Sequence, residues 1–348
     1  MSNKIRVIVA DDSAFMRKKI SEILSSDNDI EVVARVRNGK EAIGAIHSLK
    51  PDVVTLDVQM PVMDGIDSLG YIMSEIPTPC IMISAFTKEG AKETIRALEF
   101  GAVDFVTKPG GVISSDIEKV GKEIIEKVKL AVKVPIEKLK FIFAEKAAEK
   151  EEIFKKPPSM SKVFTIASST GGPRALANLL PALSGDLKAA VLVVQHMPEG
   201  FTNSLAERLN WQSKISVVEA EDGLPIKPAQ VIIAKGGLHM EVSEKEPSCV
   251  VLNNKPSRLG VRPSANILME SAAKAFKEYT VGVILTGMGS DGTLGAQAIK
   301  SAGGVVLAED ESSCVIYGMP KSVIEAGLAD KVVPLHLMAR EMERIVWS

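Results

Sequence analysis

With 348 residues, of which 46% are hydrophobic and 25% charged, the chain is long enough for about two domains with real cores. Its formal net charge of −2 supplies no electrostatic reason to bind nucleic acid, and no apolar run approaches the roughly 20 residues that span a bilayer. Cys80, Cys249 and Cys314 are scattered without a C-x-x-C pair, and the N-terminal MSNKIRVIVADD lacks a signal-peptide layout, so a soluble, cytoplasmic, monomeric protein is expected.

The first third alternates β and α. IRVIVA (5–10), EVVARV (31–36), VVTLDV (53–58), CIMISA (80–85) and VDFVTK (103–108) are short apolar, β-branched runs. Helix-period segments such as FMRKKISEIL (15–24) and GKEAIGAIHSL (39–49) separate them. This alternation predicts a doubly wound parallel sheet covered on both faces. Ile117, Val120, Ile124, Val128 and Ala131 share one helical face and close the unit at about residue 130. Residues 131–158, rich in Lys and Glu and ending in Pro157-Pro158, read as a linker.

From 159 to 348 the alternation resumes. VFTIAS (163–168), AAVLVVQ (189–195), ISVVEA (215–220), VIIA (231–234), VGVILT (281–286) and GVVLAED (304–310) are predicted strands of a second parallel α/β sheet. HMEVSEKEPSCVVLN (239–253) reads as a β-hairpin turning near Glu246-Pro247.

Chemistry gathers at the ends of these strands. In a doubly wound sheet the carboxyl ends lie along one edge, where ligands bind near a switch in strand order. Asp11 and Asp12 follow the first strand, Asp57 ends the third, Ser84 the fourth, and Lys108 follows the fifth. Three carboxylates converging there repel one another unless a hard cation such as Mg²⁺ compensates them. Lys108 could balance a phosphoryl group on Asp57, and the Ser84 hydroxyl could donate to its oxygens. Each residue alone also has a plain structural reading: Asp-Asp after a strand commonly caps a helix.

Residues 4–130 resemble a response-regulator receiver domain of flavodoxin-like topology. VADDS, TLDVQMPVMDG, Ser84 in ISA and Lys108 in FVTKP carry the resemblance. It implies that Asp57 accepts a phosphoryl group from a histidine kinase. It also implies that Asp12, Asp57 and the Gln59 carbonyl hold Mg²⁺, with Asp11 assisting through water. Phe105 matches the position of the aromatic switch and could equally be a core residue. His47 has no expected chemical role.

In the second half, ASSTGG (167–172) leads from an apolar strand into a helix-like stretch. It could cap a helix, cradle a phosphate or present a nucleophile. A phosphate loop would want G-x-G-x-x-G or a GK[ST] ending, and neither is present. A nucleophile needs a base and an orienting acid at other strand ends. His196 follows AAVLVVQ directly; His239, at the start of the hairpin, is a weaker candidate, and His336 is expected at the surface or in packing. The Gly-rich turn after VGVILT carries Asp291 as its acid, and its glycines suit an oxyanion site. Ser169, His196 and Asp291 thus form a candidate nucleophile–base–acid set, in a chain order unlike that of the α/β-hydrolases.

ASSTGGPRAL, VVQHMPEGFTNSLAERL, AEDG (220–223) and VILTGMGSDG resemble the catalytic domain of the chemotaxis protein-glutamate methylesterase family. The resemblance implies hydrolysis of glutamate γ-methyl esters on chemoreceptors, deamidation of particular receptor glutamines, and self-inhibition relieved by phosphorylation. It places Ser169, His196 and Asp291 on the catalytic positions, and Thr170 and Met288 at the active-site turns as oxyanion donors. Asn266 stands where the family often has aspartate. Two other functional classes make different demands on the sequence. A DNA-binding regulator would need a helix-turn-helix with a basic recognition helix, which the second half lacks. A nucleotide-binding module would use SSTGGP for phosphate.

Overall fold

The computed structural model describes residues 4–108, 114–139, 160–245 and 248–347, with side chains of 114–119 left aside. The chain divides into two compact units, Met1–Ile142 and Phe143–Ser348.

The first unit runs β1 (Ile5–Ala10), α1 (Ala14–Ser25), β2 (Ile30–Val36), α2 (Gly39–Leu49), β3 (Val53–Asp57), α3 (Gly65–Glu75), β4 (Cys80–Ser84), α4 (Lys88–Glu99), β5 (Asp104–Thr107) and α5 (Ser114–Ala131). All pairings are parallel and the strand order is β2-β1-β3-β4-β5. Contacts of α1 with α5, and of α3 with both α2 and α4, place the helices on the two faces. Strands β3 and β4 are buried at every residue, which is why they read as continuous apolar runs.

Helix α5 has the expected apolar seam: Ile124, Val128 and Ala131 are buried, whereas the Ile117 side chain lies outside the described residues. The first unit continues past residue 131, where the linker was expected to begin. Val134 and Leu139, 3% and 1% exposed, are buried in the first unit, and Leu139 sits on the 3-10 turn Ile136–Leu139. Their spacing is too short for a helical pattern, so the Lys/Glu-rich composition masked them. Residues 140–158 lie outside the described residues.

The second unit runs β6 (Lys162–Ser168), α6 (Gly172–Leu179), β7 (Ala189–Gln195), α7 (Phe201–Gln212), β8 (Ser216–Glu219), β9 (Gln230–Ile233), β10 (His239–Val242), β11 (Val250–Asn253), α8 (Ala265–Phe276), β12 (Thr280–Ile284), α9 (Thr293–Ser301), β13 (Val305–Glu309), α10 (Met319–Glu325), β14 (Lys331–Val333) and α11 (Leu335–Trp347). Its parallel sheet has seven strands in the order β14-β13-β12-β6-β7-β9-β8. The edge strand β14 was not predicted, because three residues are too few to show a period and two of them are exposed.

Strands β10 and β11 form the expected antiparallel hairpin, His239 opposite Asn253; its Glu246-Pro247 turn lies outside the described residues. The hairpin residues Met240, Val242 and Val250 pack with Ala265, Leu268, Met269 and Ala272 of α8 in one buried cluster. This cluster brings the start of the hairpin to the sheet edge where β6, β7 and β12 end. The order of connection reverses between β6 and β12 in the second unit, and between β1 and β3 in the first. Each reversal opens a crevice at the carboxyl ends of the strands.

Candidate active site

At the second unit's reversal, three adjacent strands deliver the three expected residues. Ser169 follows β6, His196 follows the neighbouring β7, and Asp291 lies in the turn after β12 on the other side of β6. The plain reading of SSTGG as a helix cap fails here. The N-cap of α6 is Gly171, at φ +79°, and it has no side-chain cap bond. The Ser168 hydroxyl turns instead to Gln195 Oε1 at 2.7 Å. Ser169 is half-buried, and its hydroxyl makes no hydrogen bond among the described residues.

Gln195 is a positioning residue that the sequence did not signal. Its Nε2 donates to the carbonyls of Ser169 (3.0 Å) and His196 (3.1 Å), while the His196 N–H donates to the Ser168 carbonyl at 3.0 Å. One amide therefore ties the ends of β6 and β7 together. Gly287 lets β12 join them: a Cβ there would lie 2.8 Å from the Ser169 Cβ and 2.4 Å from Met319 Sδ.

His196 Nε2 lies 2.8 Å from Asp291 Oδ2. With Nε2 facing the carboxylate, the proton-accepting lone pair is on Nδ1, the nitrogen nearer the backbone that is bonded to Ser168. Asp291 is buried, and the first turn of α8 surrounds it. Ser264 Oγ donates to Oδ1 (2.8 Å), the Ala265 N–H to Oδ2 (2.6 Å), and the Asn266 N–H to Oδ1 (3.0 Å). Burial pushes this carboxyl pKa up, but the His196 hydrogen bond and charge and the two α8 amides outweigh it, so the group lies below the ordinary carboxylate range.

Asn266 reciprocates. Its Oδ1 accepts from the Gly292 and Gly295 amides at 3.0 and 2.8 Å, so α8 holds the turn that holds the acid. Of the expected oxyanion residues, Met288 is half exposed and its N–H makes no hydrogen bond among the described residues. Thr170 is buried, and its carbonyl accepts from Thr286 Oγ1 at 3.0 Å. His336 is exposed at the start of α11, and His47 packs edge-on to Tyr71.

In the first unit, Asp11, Asp12 and Asp57 each offer an oxygen within 4.8 Å of the others. The loop is held by Arg17, which donates to the Asp11 and Asp12 carbonyls, and Ser13, rather than either aspartate, caps α1. Lys108 Nζ lies 2.7 Å from Asp57 Oδ2 and 3.0 Å from Asp11 Oδ2. The latter oxygen is buried, and this ion pair with Lys108 is the contact it makes among the described residues. Three converging carboxylates with a single ammonium among them leave uncompensated negative charge on hard oxygens, which fits a divalent cation. The Gln59 backbone also bonds to Asp57, while its side chain reaches Glu93.

Two expected switch residues have other partners. The Ser84 hydroxyl is 2.7 Å from Thr94 Oγ1 and 3.2 Å from the Gly90 carbonyl, both on α4, and makes no bond to Asp57. Phe105 is buried, with Lys127 Nζ 5.3 Å from its ring centre and bonded to its carbonyl.

Burial raises the Asp57 pKa to about 6, with the Asp11 charge adding to it and Lys108 opposing it. Burial pushes the Lys108 amine down, but both carboxylates more than restore it. Between the unfolded value near 4 and about 6, the unfolded chain ionises first, so stability falls as pH rises through that window. Asp57→Asn should therefore stabilise the first unit at pH 7.5 by on the order of 1–2 kcal/mol when divalent ions are chelated. It should also remove the wild type's gain on acidification to pH 5. Urea melts at the two pH values check this.

With the geometry assembled, comparison with known proteins decides the family. CheB methylesterase matches residues 164–342, and the Response regulator receiver domain matches residues 7–114. The chain belongs to the CheB methylesterase family. Among its CheB-type relatives, a protein of Pyrococcus horikoshii named protein-glutamate methylesterase/protein-glutamine glutaminase is 46% identical, over 99% of this chain and 95% of that one. One of the same name from Halalkalibacterium halodurans is 47% identical over 99% of both chains. The crystal structure of the Thermotoga maritima CheB methylesterase catalytic domain aligns at TM-score 0.53 with 45% identity, covering 53% of this chain and 98% of that one.

Proposed function

We propose that the chain is a phosphorylation-activated serine hydrolase. It removes the methyl group from glutamate γ-methyl esters on the cytoplasmic helices of chemoreceptors and deamidates particular receptor glutamines, and so serves adaptation in chemotaxis. The observation that carries this reading is the His196–Asp291 pair, 2.8 Å apart, at the strand edge that also bears the uncommitted Ser169 hydroxyl.

Ser169 Oγ attacks the ester carbonyl while its proton passes to His196 Nδ1. The negative oxygen of the tetrahedral intermediate is received by the N–H groups of Met288 and Thr170. On collapse the C–O bond to the methoxy group breaks, and His196 returns the proton to release methanol. Water then attacks the acyl-enzyme through the same base, freeing the glutamate carboxylate and Ser169. Throughout, Asp291 holds the imidazole in the tautomer that leaves Nδ1 free and stabilises the imidazolium.

In the first unit Asp57 is the phosphoryl acceptor, a chemotaxis histidine kinase the donor. Asp12, Asp57 and the Gln59 carbonyl would hold Mg²⁺, with Asp11 behind them, and the ion would offset the acceptor's and the phosphoryl group's negative charge. Lys108 and Ser84 receive the phosphorylated Asp57, and Ser84 must leave Thr94 and Gly90 to do so. Phe105 sits on β5 beside this change. The convergence of three carboxylates supports the cation, and the strand-end placement of all five groups supports the transfer. No helix among the described residues is long and apolar enough to cross a membrane. The chain is proposed to act as a cytoplasmic monomer on membrane-borne receptors, without nucleic acid.

The test is methanol release from methylated receptor membranes with and without a small-molecule phosphodonor and Mg²⁺. Release should rise severalfold or more with the donor, and Asp57→Asn should lose that rise while keeping the basal rate. No release under either condition rejects the esterase reading, whereas equal release under both rejects the regulation.

A further inference from the structure

A second histidine stands behind the acid. His239 opens β10 and is fully buried. Its Nε2 is 3.1 Å from the Pro256 carbonyl, and its Nδ1 is 3.2 Å from the backbone nitrogen of Ser264, the N-cap of α8. A carbonyl only accepts and an amide N–H only donates, so the ring proton is on Nε2 and the lone pair is on Nδ1. The ring is thus a two-sided connector between the 254–263 loop and the first turn of α8.

We propose that His239 is a positioning residue for ester hydrolysis, holding the Ser264 amide so that Ser264 Oγ and the Ala265 and Asn266 amides converge on Asp291. The proposal rests on the Ser169–His196–Asp291 reading and extends it by one layer. Its force lies in what the Ser264 amide would do without the imidazole. Ser264 is fully buried, and an N–H deprived of its acceptor there is costly, so the peptide relieves itself by turning. That turn carries Ser264 Oγ away from Asp291 Oδ1 and shifts the Ala265 amide, whose acceptor is the same Oδ2 that meets His196. A carboxylate displaced by a fraction of an ångström misaims the imidazole. The hairpin residues Met240 and Val242 are buried in the apolar cluster with Ala265 and Leu268 of α8, and their side chains offer the Ser264 N–H no strong acceptor.

Two substitutions divide the ring's functions. In His239→Asn the side-chain oxygen falls near the position of Nδ1 and can accept the Ser264 N–H, while the link to Pro256 is lost. In His239→Gln the amide reaches the position of Nε2 and can donate to Pro256, while the Ser264 N–H loses its acceptor. Both should lower the unfolding midpoint of the full-length chain. In methanol-release assays, with active sites counted by acylation of Ser169, His239→Asn should keep kcat within about threefold. His239→Gln should lose about 10- to 100-fold in kcat with KM unchanged.

Equal loss in the two variants, or loss in neither, overturns the proposal. Should neither variant fold, nitrogen-15 imidazole spectra of the wild-type chain decide it: His239 must be neutral with its proton on Nε2 at the pH of maximal activity, and a proton on Nδ1 rejects the assignment. Asp291→Asn assayed alongside separates the two readings. Wild-type kcat in that variant removes the underlying triad, whereas its loss together with equal Asn and Gln effects removes only the role of His239.

Discussion

Ser169→Ala will bring methanol release down by about 10⁶-fold, to the level that binding and oxyanion donors sustain without a nucleophile. The size of the effect follows from the absence of a substitute. Ser168 is committed to Gln195 and sealed from solvent, and Thr170 is buried. The folded state should scarcely register the change, because the Ser169 hydroxyl makes no hydrogen bond among the described residues and the backbone bonds at this position are retained. Its unfolding free energy should stay within about 0.5 kcal/mol of wild type. Asp57 should take phosphate at an unchanged rate, since it belongs to the other compact unit. Turnover within tenfold of wild type would assign the nucleophile elsewhere.

Asp291→Asn should cost about 10⁴-fold in kcat, the scale of removing the orienting carboxylate from a serine nucleophile–histidine pair. An amide that donates toward His196 Nε2 drives the proton to Nδ1, the nitrogen that must accept from Ser169. Unlike the serine substitution, this one should also weaken the fold. The wild-type carboxylate accepts from Ser264 Oγ, two α8 amides and His196; a carboxamide has one oxygen, and its NH₂ must face at least one N–H donor. An unpaired buried donor costs about 1–3 kcal/mol, and loss of a negative charge at the start of α8 adds about 0.3–1 kcal/mol.

The acid limb of the stability profile provides an independent check. The Asp291 carboxyl lies below its ordinary value in the folded chain, so its contribution is complete above the unfolded value near 4 and is lost as pH falls through the folded one. The asparagine variant should lose that part of the decline below about pH 4. Denaturant melts across this range, paired with methanol release, test both halves of the prediction.

The strands and the chemistry at their ends were legible in the sequence because both are local. A strand buried on both faces needs consecutive apolar residues, and β3, β4, β6, β7 and β12 announce themselves that way. A residue directly after such a run stands at the sheet edge, so Asp11, Asp57, Ser169 and His196 could be placed there without coordinates. Strand β14 and the turn at Ile136–Leu139 escaped because three or four residues carry no period.

What the sequence determined by itself was therefore two α/β units and the reactive groups along one edge of each. The tertiary structure alone decided how those groups are held. The order β12-β6-β7 brings Asp291 within 2.8 Å of His196 although 95 residues separate them, and it selects Nε2 as the nitrogen that meets the acid. The donors around Asp291 come from Ser264, Ala265 and Asn266, the clip from Gln195, the connector from His239, and the partners of Ser84 from α4. Apolar periodicity is written in neighbouring residues and survives as a pattern in the chain. A hydrogen bond between distant segments leaves no such trace, because it depends on strand order, the packing of the hairpin on α8 and the rotation of single side chains, which exist only once the whole sheet has formed.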